Sequence, residues 1–259
     1  MKALVFDLDD TLLDSAKRIG PQTRLALDAW LAGGREIIFA TSRPIRKVRA
    51  FIPAELFRRC EIITMNGAVQ HSAGMQTYKA AGLGAAGRQL IERFPMGHEV
   101  HLTAELDGEI FATNYLSTDE ELLQWNAATP DMIVPLETID CNQIAKIALS
   151  RWGPHLSDLL PWLNGLGCEL IMAEDGKFIN VVARGVDKAP TLSRYFAGKG
   201  WSRADIAIFG DDLPDIKMMA LTDHAVAMAN AKPEVKAAAH HVIGHCDEDV
   251  IGQHMQRWL

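Results

Sequence analysis

Residues 3–11 read ALVFDLDDT, an apolar run that leads directly into a group of carboxylates. The apolar run predicts a strand buried on both faces, as a central strand of a parallel sheet requires. Asp7, Asp9 and Asp10 then crowd together, and like charges a few ångströms apart raise one another's pKa. A divalent cation removes that cost, and Mg²⁺ prefers oxygen ligands from carboxylates and phosphate. A solvated acidic loop is the alternative, but the position directly after a hydrophobic strand favours a magnesium site.

Downstream of this stretch, short apolar runs alternate with helical patterns, which is typical of parallel strands joined by helices. We therefore predict an α/β fold with a Rossmann-like, doubly wound parallel sheet. Strands are expected at 37–40, 62–65, 206–209 and 225–228. Helices are expected from Pro21 to Gly33, after Pro44, and at 189–196, 213–221, 233–239 and 247–258.

The middle of the chain, residues 82–184, differs from the rest because strand and helix patterns are mixed there. Alternating stretches at 109–112 and 178–182 predict strands of a second, smaller sheet. We therefore predict that this segment is an inserted α+β cap that determines substrate specificity. The catalytic core would then comprise residues 1–81 and 185–259.

The composition of the chain narrows the class of protein. Of its 259 residues, 48% are hydrophobic, which is enough for a sizeable core and argues against a disordered chain. The net charge is −7, so the basic surface of a nucleic-acid-binding protein is not expected. A small anionic substrate would need a local cation to draw it in. No apolar run reaches the ~18 residues of a membrane span, and the cysteines show no CxxC spacing, so we expect free thiols in a cytoplasmic protein.

Polar residues follow other predicted strands. Asp211 and Asp215 lie where one strand ends and the next helix begins, and Thr41 and Ser42 lie at the end of another strand. Ligands of open parallel sheets bind beyond the carboxyl ends of the strands, so these side chains are expected to meet Asp7. The alternative for Asp215 and Ser42 is that each caps a helix N-terminus.

Lys188 is the last candidate site residue that the sequence pattern indicates. It opens a predicted helix, where the helix dipole disfavours a cation. Neutralising an anionic nucleophile and a phosphoryl group would explain a lysine at that position. An exposed lysine on a first helical turn is the alternative.

The order of these segments resembles that of the haloacid dehalogenase superfamily, and more narrowly its Cof-type sugar-phosphatase branch. The resemblance covers the whole chain, including a large cap between the second and third motifs. The superfamily motifs are matched by residues 7–14, 41–43, 188 and 210–215, and two segments typical of the branch by residues 66–68 and 227–231.

The resemblance implies a role for each of these residues. Asp7 is expected to be the nucleophile and a Mg²⁺ ligand. Asp9 is expected to be the general acid and base, and to bind the metal through its backbone carbonyl. Thr41 and Lys188 are expected to hold the phosphoryl oxygens. The other implied roles are metal ligation by Asp211, a direct or water-mediated metal contact by Asp215, and substrate contacts by Ser42, Arg43 and Asn66.

The chain departs from the usual pattern of this family at four positions. Glycine is more common at the positions of Asp10 and Ser42, a small residue at that of Asp212, and asparagine at that of Pro214. None of these departures removes an essential carboxylate. Pro214 does lack the amide with which an asparagine would support the nearby acids.

The predicted function is a Mg²⁺-dependent phosphomonoesterase that acts on a small phosphorylated metabolite through a phospho-aspartate on Asp7. A phosphotransferase or phosphomutase with the same intermediate, a receiver-like signalling domain and an inactive binding protein are the alternatives. A receiver domain lacks the second aspartate that Asp9 supplies here. No nucleic-acid or membrane partner is expected, and the substrate and oligomeric state stay open. Candidates for specificity within the cap are His101, Glu105, Asn114, Tyr115 and Asn180.

Overall fold

The computed structural model describes residues 1–151, 156–173 and 176–259. The chain packs as two compact units. The core unit comprises residues 1–42, 51–77 and 188–259, and the insert unit comprises residues 43–50 and 78–187. The sequence-based division had assigned residues 43–50 to the core, whereas in the structure they pack within the insert unit.

The described residues form the following strands and helices. The strands are β1 (Ala3–Phe6), β2 (Glu36–Ala40), β3 (Glu61–Thr64), β4 (Val69–Ser72), β5 (Met75–Lys79), β6 (Val100–Glu105), β7 (Phe111–Thr113), β8 (Lys146–Arg151), β9 (Glu169–Ala173), β10 (Phe178–Val182), β11 (Ile206–Gly210), β12 (Ala225–Ala227) and β13 (His241–Val242). The helices are α1 (Pro21–Ala32), α2 (Ile45–Phe51), α3 (Ala54–Phe57), α4 (Gly84–Arg93), α5 (Asp119–Glu121), α6 (Leu160–Gly165), α7 (Lys188–Lys199), α8 (Asp215–Met219), α9 (Pro233–Ala238) and α10 (Ile251–Met255). Within this part of the chain, no helix has the length and apolar character needed to cross a bilayer.

The larger sheet has eight strands in the order β13-β12-β11-β1-β2-β3-β4-β5. Every neighbouring pair from β13 to β3 is parallel, and β4 returns antiparallel to β3. The chain runs outward from β1 to β3 in one direction and from β11 to β13 in the other. The predicted α/β fold with a doubly wound parallel sheet is therefore confirmed, and the winding reverses between β1 and β11.

The central strand β1 is buried along its whole length. Phe6 pairs in register with Phe209 of β11, and their rings stack with centroids 4.6 Å apart. On the other face of the sheet, Val5 and Ile208 pack in a hydrophobic cluster with Leu192 of α7. Because both faces of β1 are covered, the backbone that leads into the acidic stretch is held firmly.

Three predicted helices have different limits in the structure. Helix α7 continues through Gly198 to Lys199, where an end before Gly198 had been expected. Helix α8 covers Asp215–Met219 only, because Pro214 takes the N-cap position. The terminal helix α10 begins at Ile251 rather than at residue 247.

The late start of α10 has a physical cause in Asp249. This residue has a φ of 51°, which breaks the helical path. Its carboxylate oxygens accept hydrogen bonds from the backbone N–H groups of Gln22 and Thr23, at 2.7 and 2.9 Å. The N-cap of α1 is Gly20, which has no side chain to do this. Asp249 therefore caps α1 from the far end of the sequence.

The sheet of the insert unit has five antiparallel strands in the order β7-β6-β8-β10-β9. One face is apolar, and its central residues Leu102, Ile147 and Ile179 pack in a hydrophobic cluster with residues of α4 and α6. The alternate positions form a second, polar face, because successive side chains of a strand point to opposite sides. Residues of this polar face include His101, Thr103, Glu105, Lys146, Ser150 and Asn180.

Candidate active site

The candidate site lies in the core unit, at the carboxyl ends of β1 and β11. Asp7 follows β1 directly, and its backbone N–H donates to the carbonyl of Phe209 at 3.0 Å. Asp211 follows β11, and its Oδ1 accepts from the hydroxyl of Thr11 at 2.7 Å. Because the winding of the sheet reverses between these two strands, a crevice for ligands is expected beyond their ends.

Asp7, Asp211 and Asp215 form a carboxylate cluster. Each offers one oxygen, and these oxygens all lie within 4.8 Å of one another. Asp215 is the first residue of α8 and is buried, and its Oδ2 accepts from the backbone N–H groups of Asp211 and Asp212 at 3.1 and 3.2 Å. A Cβ atom on Gly210 would lie 2.6 Å from the Cβ of Asp215. Glycine at the end of β11 therefore permits Asp215 to approach this closely.

Lys188 contributes a cation to the carboxylate cluster. It is the first residue of α7 and is buried. Its Nζ donates to Asp7 Oδ1 at 2.5 Å and to Asp215 Oδ1 at 2.8 Å. Burial lowers the pKa of Lys188, but the two carboxylates outweigh this effect and keep the pKa above its usual value. The pairing supplies an electrostatic reason for a lysine at a helix start.

The cluster holds more negative charge than Lys188 balances. Burial raises the pKa of Asp7 well above its usual value despite the attraction of Lys188, and the neighbouring carboxylates raise it further. Burial and the charge of Asp215 raise the pKa of Asp211 to about 7, although the Thr11 hydroxyl opposes the shift. A divalent cation would restore the ionised forms. Oxygen donors in this number and spacing fit Mg²⁺.

Asp9 and Asp10 occupy the turn that follows Asp7. The Nζ of Lys17 lies 3.0 Å from Asp9 Oδ1 and 3.2 Å from Asp10 Oδ1. Burial lowers the pKa of Lys17, but both carboxylates raise it above its usual value. Asp10 has a φ of 56°, which explains why glycine is common at this position of the family; aspartate also tolerates the left-handed region. Sequence reasoning missed Lys17, because its contact depends on a turn in which Lys17 itself has a φ of 58°.

The predicted substrate contacts have different surroundings. Thr41 is buried at the end of β2, and its carbonyl accepts from the backbone N–H of Asn66 at 3.0 Å. Asn66 is buried, and its side-chain Oδ1 has no hydrogen-bond partner among the described residues. A buried oxygen in this state costs free energy unless a ligand supplies a donor. Ser42 is half-buried in the core unit, and Arg43 is half-buried in the insert unit.

Asn230 supports the acidic turn and was not among the predicted site residues. Its Nδ2 donates to the carbonyl of Asp10 at 2.6 Å, and its Oδ1 accepts from the backbone N–H of Cys246 at 3.0 Å. The only sequence signal was the match of residues 227–231 to a segment typical of the Cof-type branch. That match gave no role for the asparagine, since its partners are remote in sequence.

Two of the specificity candidates are engaged in the packing of the insert unit. Both carboxylate oxygens of Glu105 accept from the guanidinium of Arg46, at 2.6 and 2.7 Å. Asn114 is fully buried, and its amide bonds to backbone groups, including Leu102 N–H at 2.7 Å and the Val100 carbonyl at 2.8 Å.

The other three candidates lie on or beside the polar face of the insert sheet, as Glu105 does. The His101 ring stacks on Tyr115 with centroids 4.6 Å apart, and burial lowers the pKa of His101. The Tyr115 hydroxyl is 3.1 Å from that of Thr103 on the same face. Asn180 is a buried residue of β10. His101 and Tyr115 are only half-buried, so they are better placed for a ligand than Glu105 or Asn114.

Comparison with known proteins identifies the family. The family model described as haloacid dehalogenase-like hydrolase matches residues 4–255. The chain belongs to this family. The predicted superfamily is thus confirmed, and the named relatives support its Cof-type phosphatase branch.

Relatives of this haloacid dehalogenase-like hydrolase include named phosphatases. It is 27% identical over 265 residues to an HMP-PP phosphatase of Serratia proteamaculans (strain 568), covering 98% of this chain and 94% of the relative. This chain is also 26% identical over 271 residues to the pyridoxal phosphate phosphatase YbhA of Escherichia coli (strain K12), covering 97% of this chain and 96% of the relative. A haloacid dehalogenase-like hydrolase from Bacteroides thetaiotaomicron has the same fold, with a TM-score of 0.80 at 22% identity over 100% of this chain and 99% of the other. The predicted enzyme class, a hydrolase of phosphate monoesters, is confirmed.

Proposed function

We propose that this hydrolase is Mg²⁺-dependent and releases phosphate from a small phosphorylated metabolite through a phospho-aspartate on Asp7. The observation that carries the proposal is the convergence of Asp7, Asp211, Asp215 and Lys188 at the switch point of the sheet. The relatives support the substrate class, since one is named for HMP-PP and another for pyridoxal phosphate.

Asp7 is the proposed nucleophile. One of its oxygens attacks phosphorus in line while the bond from phosphorus to the leaving oxygen breaks, and the phosphoryl group passes to Asp7. The rigid strand β1 and the 2.5 Å contact with Lys188 hold the carboxylate in position. Uncatalysed hydrolysis of phosphate monoesters is extremely slow, so the site must lower the barrier by roughly 20 kcal/mol or more.

Asp7, Asp211 and Asp215 would hold the Mg²⁺ ion, together with the backbone carbonyl of Asp9. When bound, Mg²⁺ offsets the repulsion between these carboxylates and the phosphate dianion. Lys188 adds a second cation, which remains charged because the carboxylates raise its pKa. It therefore helps to attract the phosphoryl group and to stabilise negative charge in the transition state.

Asp9 is the proposed general acid and base. It donates a proton to the leaving oxygen in the first step and removes one from the attacking water in the second. Its side chain is 31% exposed, whereas Asp7 is buried. The two aspartates therefore stand in the different environments that nucleophile and proton carrier require.

Thr41, Ser42, Arg43 and Asn66 are the proposed substrate contacts. The Thr41 hydroxyl at the end of β2 suits a phosphoryl oxygen. The buried Oδ1 of Asn66 suits a hydrogen-bond donor on the substrate, since no described residue supplies one. Such a donor would satisfy the amide only when substrate is bound.

The test is hydrolysis of p-nitrophenyl phosphate by the wild type and by Asp7→Asn, each with Mg²⁺ and with EDTA. We expect metal-dependent release that falls by more than about 10³-fold in Asp7→Asn, since a nucleophile acts in the transition state. Asp14→Asn is the matched control, because the Asp14 carboxylate accepts from the Arg18 N–H and lies outside the carboxylate cluster. Activity in Asp7→Asn close to that of the control, or indifference to EDTA, would contradict the proposal. Product analysis with an added sugar acceptor separates hydrolysis from phosphoryl transfer.

A further inference from the structure

The segment that follows β13 brings three kinds of metal-binding side chain together in the core unit. They belong to the consecutive residues His245, Cys246 and Asp247, which lie outside the carboxylate cluster. Each offers one ligand atom, namely an imidazole nitrogen, a thiol sulfur and a carboxylate oxygen. These three atoms all lie within 4.8 Å of one another. We call these residues the His-Cys-Asp cluster.

The separations within the His-Cys-Asp cluster are close to those around a tetrahedral metal ion. Cys246 Sγ lies 3.6 Å from His245 Nδ1 and 3.8 Å from Asp247 Oδ1, and His245 Nδ1 lies 3.5 Å from Asp247 Oδ2. Zinc binds sulfur at about 2.3 Å and nitrogen or oxygen at about 2.0–2.2 Å, so tetrahedral angles place its ligand atoms about 3.4–3.6 Å apart. The three side chains therefore outline one face of such a tetrahedron. A rotation of the Asp247 carboxylate brings a single oxygen toward both partners.

Hydrogen bonds fix the backbone and the imidazole of this cluster. The backbone N–H of Cys246 donates to Asn230 Oδ1 at 3.0 Å, and Asp247 Oδ1 accepts from the backbone N–H of Ser15 at 2.8 Å. His245 Nδ1 accepts from the backbone N–H of Asp247 at 3.2 Å. The lone pair of Nδ1 is therefore directed into the cluster, as ligation of a metal requires. Side chains held in place in this way lose little freedom when a ligand binds.

The charge and exposure of the cluster suit a cation. The side chains of His245 and Asp247 are 43% and 45% exposed, so an ion can enter from solvent. Hydrogen bonding from Ser15 lowers the pKa of Asp247, which is therefore ionised at neutral pH. Burial and the charge of Asp247 raise the pKa of the Cys246 thiol to about 11. Binding of a metal would replace the S–H bond by a bond from sulfur to the metal and release the proton to solvent.

We propose that the His-Cys-Asp cluster is a metal site distinct from the carboxylate cluster, and that it binds a thiophilic divalent cation such as Zn²⁺ with water as a further ligand. The donor atoms distinguish the two sites. The carboxylate cluster offers oxygens, which suit Mg²⁺, whereas sulfur and imidazole nitrogen favour Zn²⁺. Packing of the loop accounts for His245 and Asp247, since both bond to backbone N–H groups. It does not account for the thiol, whose contacts with these two side chains are long and weak.

The first experiment titrates the full chain with Co²⁺, a spectroscopic substitute for Zn²⁺, and follows the ultraviolet absorption that arises when a thiolate binds this metal. Co²⁺ bound to the oxygens of the carboxylate cluster lacks this absorption. We expect the absorption in the wild type and its loss in Cys246→Ser. Cys168→Ser, at a half-buried thiol of the insert unit, is the matched control and should retain it. No thiolate absorption in the wild type, or equal absorption in Cys246→Ser, would overturn the proposal.

The other two ligands are tested by competition between Zn²⁺ and the bound Co²⁺. Asp247→Asn keeps an oxygen that can accept from Ser15 N–H, and His245→Gln keeps a polar side chain. We expect each variant to bind Zn²⁺ at least about tenfold more weakly, which corresponds to about 1.4 kcal/mol. Asp223→Asn, at an exposed ion pair with Arg203, should bind Zn²⁺ like the wild type. Equal melting temperatures without metal establish that the variants fold, and unchanged affinity in either ligand variant would contradict the three-ligand site.

The variant Asp211→Asn separates this site from the carboxylate cluster. It removes a carboxylate from that cluster and leaves the donors of the His-Cys-Asp cluster unchanged. We therefore expect it to keep the thiolate absorption with Co²⁺, whether or not the enzyme proves to need Mg²⁺. Loss of the absorption in Asp211→Asn would mean that one ion is shared, and would overturn the proposal of a distinct site.

Discussion

Replacing Gly210 by alanine tests whether close packing at the end of β11 places Asp215 for catalysis. Gly210 has no positive φ, so alanine suits its backbone and the effect is purely steric. The added Cβ would lie 2.6 Å from Asp215 Cβ and 2.8 Å from Asp215 Oδ2. Carbon atoms in good contact are about 3.5–4.0 Å apart, so Asp215 must retreat by about 1 Å.

The retreat of Asp215 has two consequences of known size. Its hydrogen bonds from Asp211 N–H and Asp212 N–H, now 3.1 and 3.2 Å long, would stretch beyond useful length. Overpacking of this kind costs about 1–3 kcal/mol of unfolding free energy. A displacement of ~1 Å in a catalytic constellation also costs about 100-fold in rate. We therefore expect Gly210→Ala to lose about 100-fold in kcat/KM and to unfold at a lower temperature.

The assay is Mg²⁺-dependent hydrolysis of p-nitrophenyl phosphate, combined with thermal unfolding. The matched control is Gly198→Ala in α7, where an added Cβ meets nothing within 4 Å. That control should keep full activity and gain about 0.4–1 kcal/mol, because alanine reduces the freedom of the unfolded chain. If Gly210→Ala keeps activity within about twofold of this control, the steric argument for Asp215 is refuted.

Further predictions concern charge, capping and pH. Lys188→Met should cost about 3–5 kcal/mol of unfolding free energy, because it leaves buried carboxylates without their cation. Chemical denaturation measures this cost. A loss below about 1 kcal/mol would contradict the pairing of Lys188 with Asp7 and Asp215. Asp211→Asn should lose most of the rise in melting temperature that Mg²⁺ gives the wild type, and a full rise in the variant would remove Asp211 from the metal site. Asp249→Ala should cost about 1 kcal/mol by uncapping α1, whereas Asp223→Ala, at an exposed ion pair with Arg203, should cost less than about 0.5 kcal/mol. Burial lowers the pKa of His254 to about 4, so its contribution to stability is complete above about pH 6.5 and is lost as the pH falls toward 4. In His254→Gln, the melting temperature should therefore fall less between these pH values than in the wild type. An equal fall in the variant would refute the role of His254.

The fold and the carboxylate cluster are largely readable from the sequence. The run of apolar residues predicts β1 as a strand buried on both faces, since few other structures suit such a run. The carboxylates that follow it in sequence therefore lie at the end of a central strand. The meeting of Asp7 with Asp211 follows from the rule that ligands bind where a parallel sheet reverses its winding. Local patterns combined with a general rule of topology therefore predict the centre of the site.

The remaining features depend on contacts that no local pattern encodes. Lys17 reaches Asp9 only because its turn adopts a positive φ. The cap that α1 lacks comes from Asp249, more than 220 residues later. Residues 43–50 look like an ordinary helix after a strand, and contacts remote in sequence, such as the pairing of Arg46 with Glu105, tie them to the insert unit.

The position of β1 between β2 and β11 has a consequence for how the protein is made. The bond from Thr11 to Asp211 joins residues 200 positions apart, so the site cannot form until the ribosome has synthesised most of the chain. The strands of the insert sheet, residues 100–182, leave the ribosome earlier and in nearly continuous order. Domains generally fold as units during synthesis, and contacts between distant residues form slowly. The insert unit is therefore expected to fold first. Until β11 has been synthesised, β1 lacks its partner strand and the carboxylates that follow β1 stay exposed to solvent.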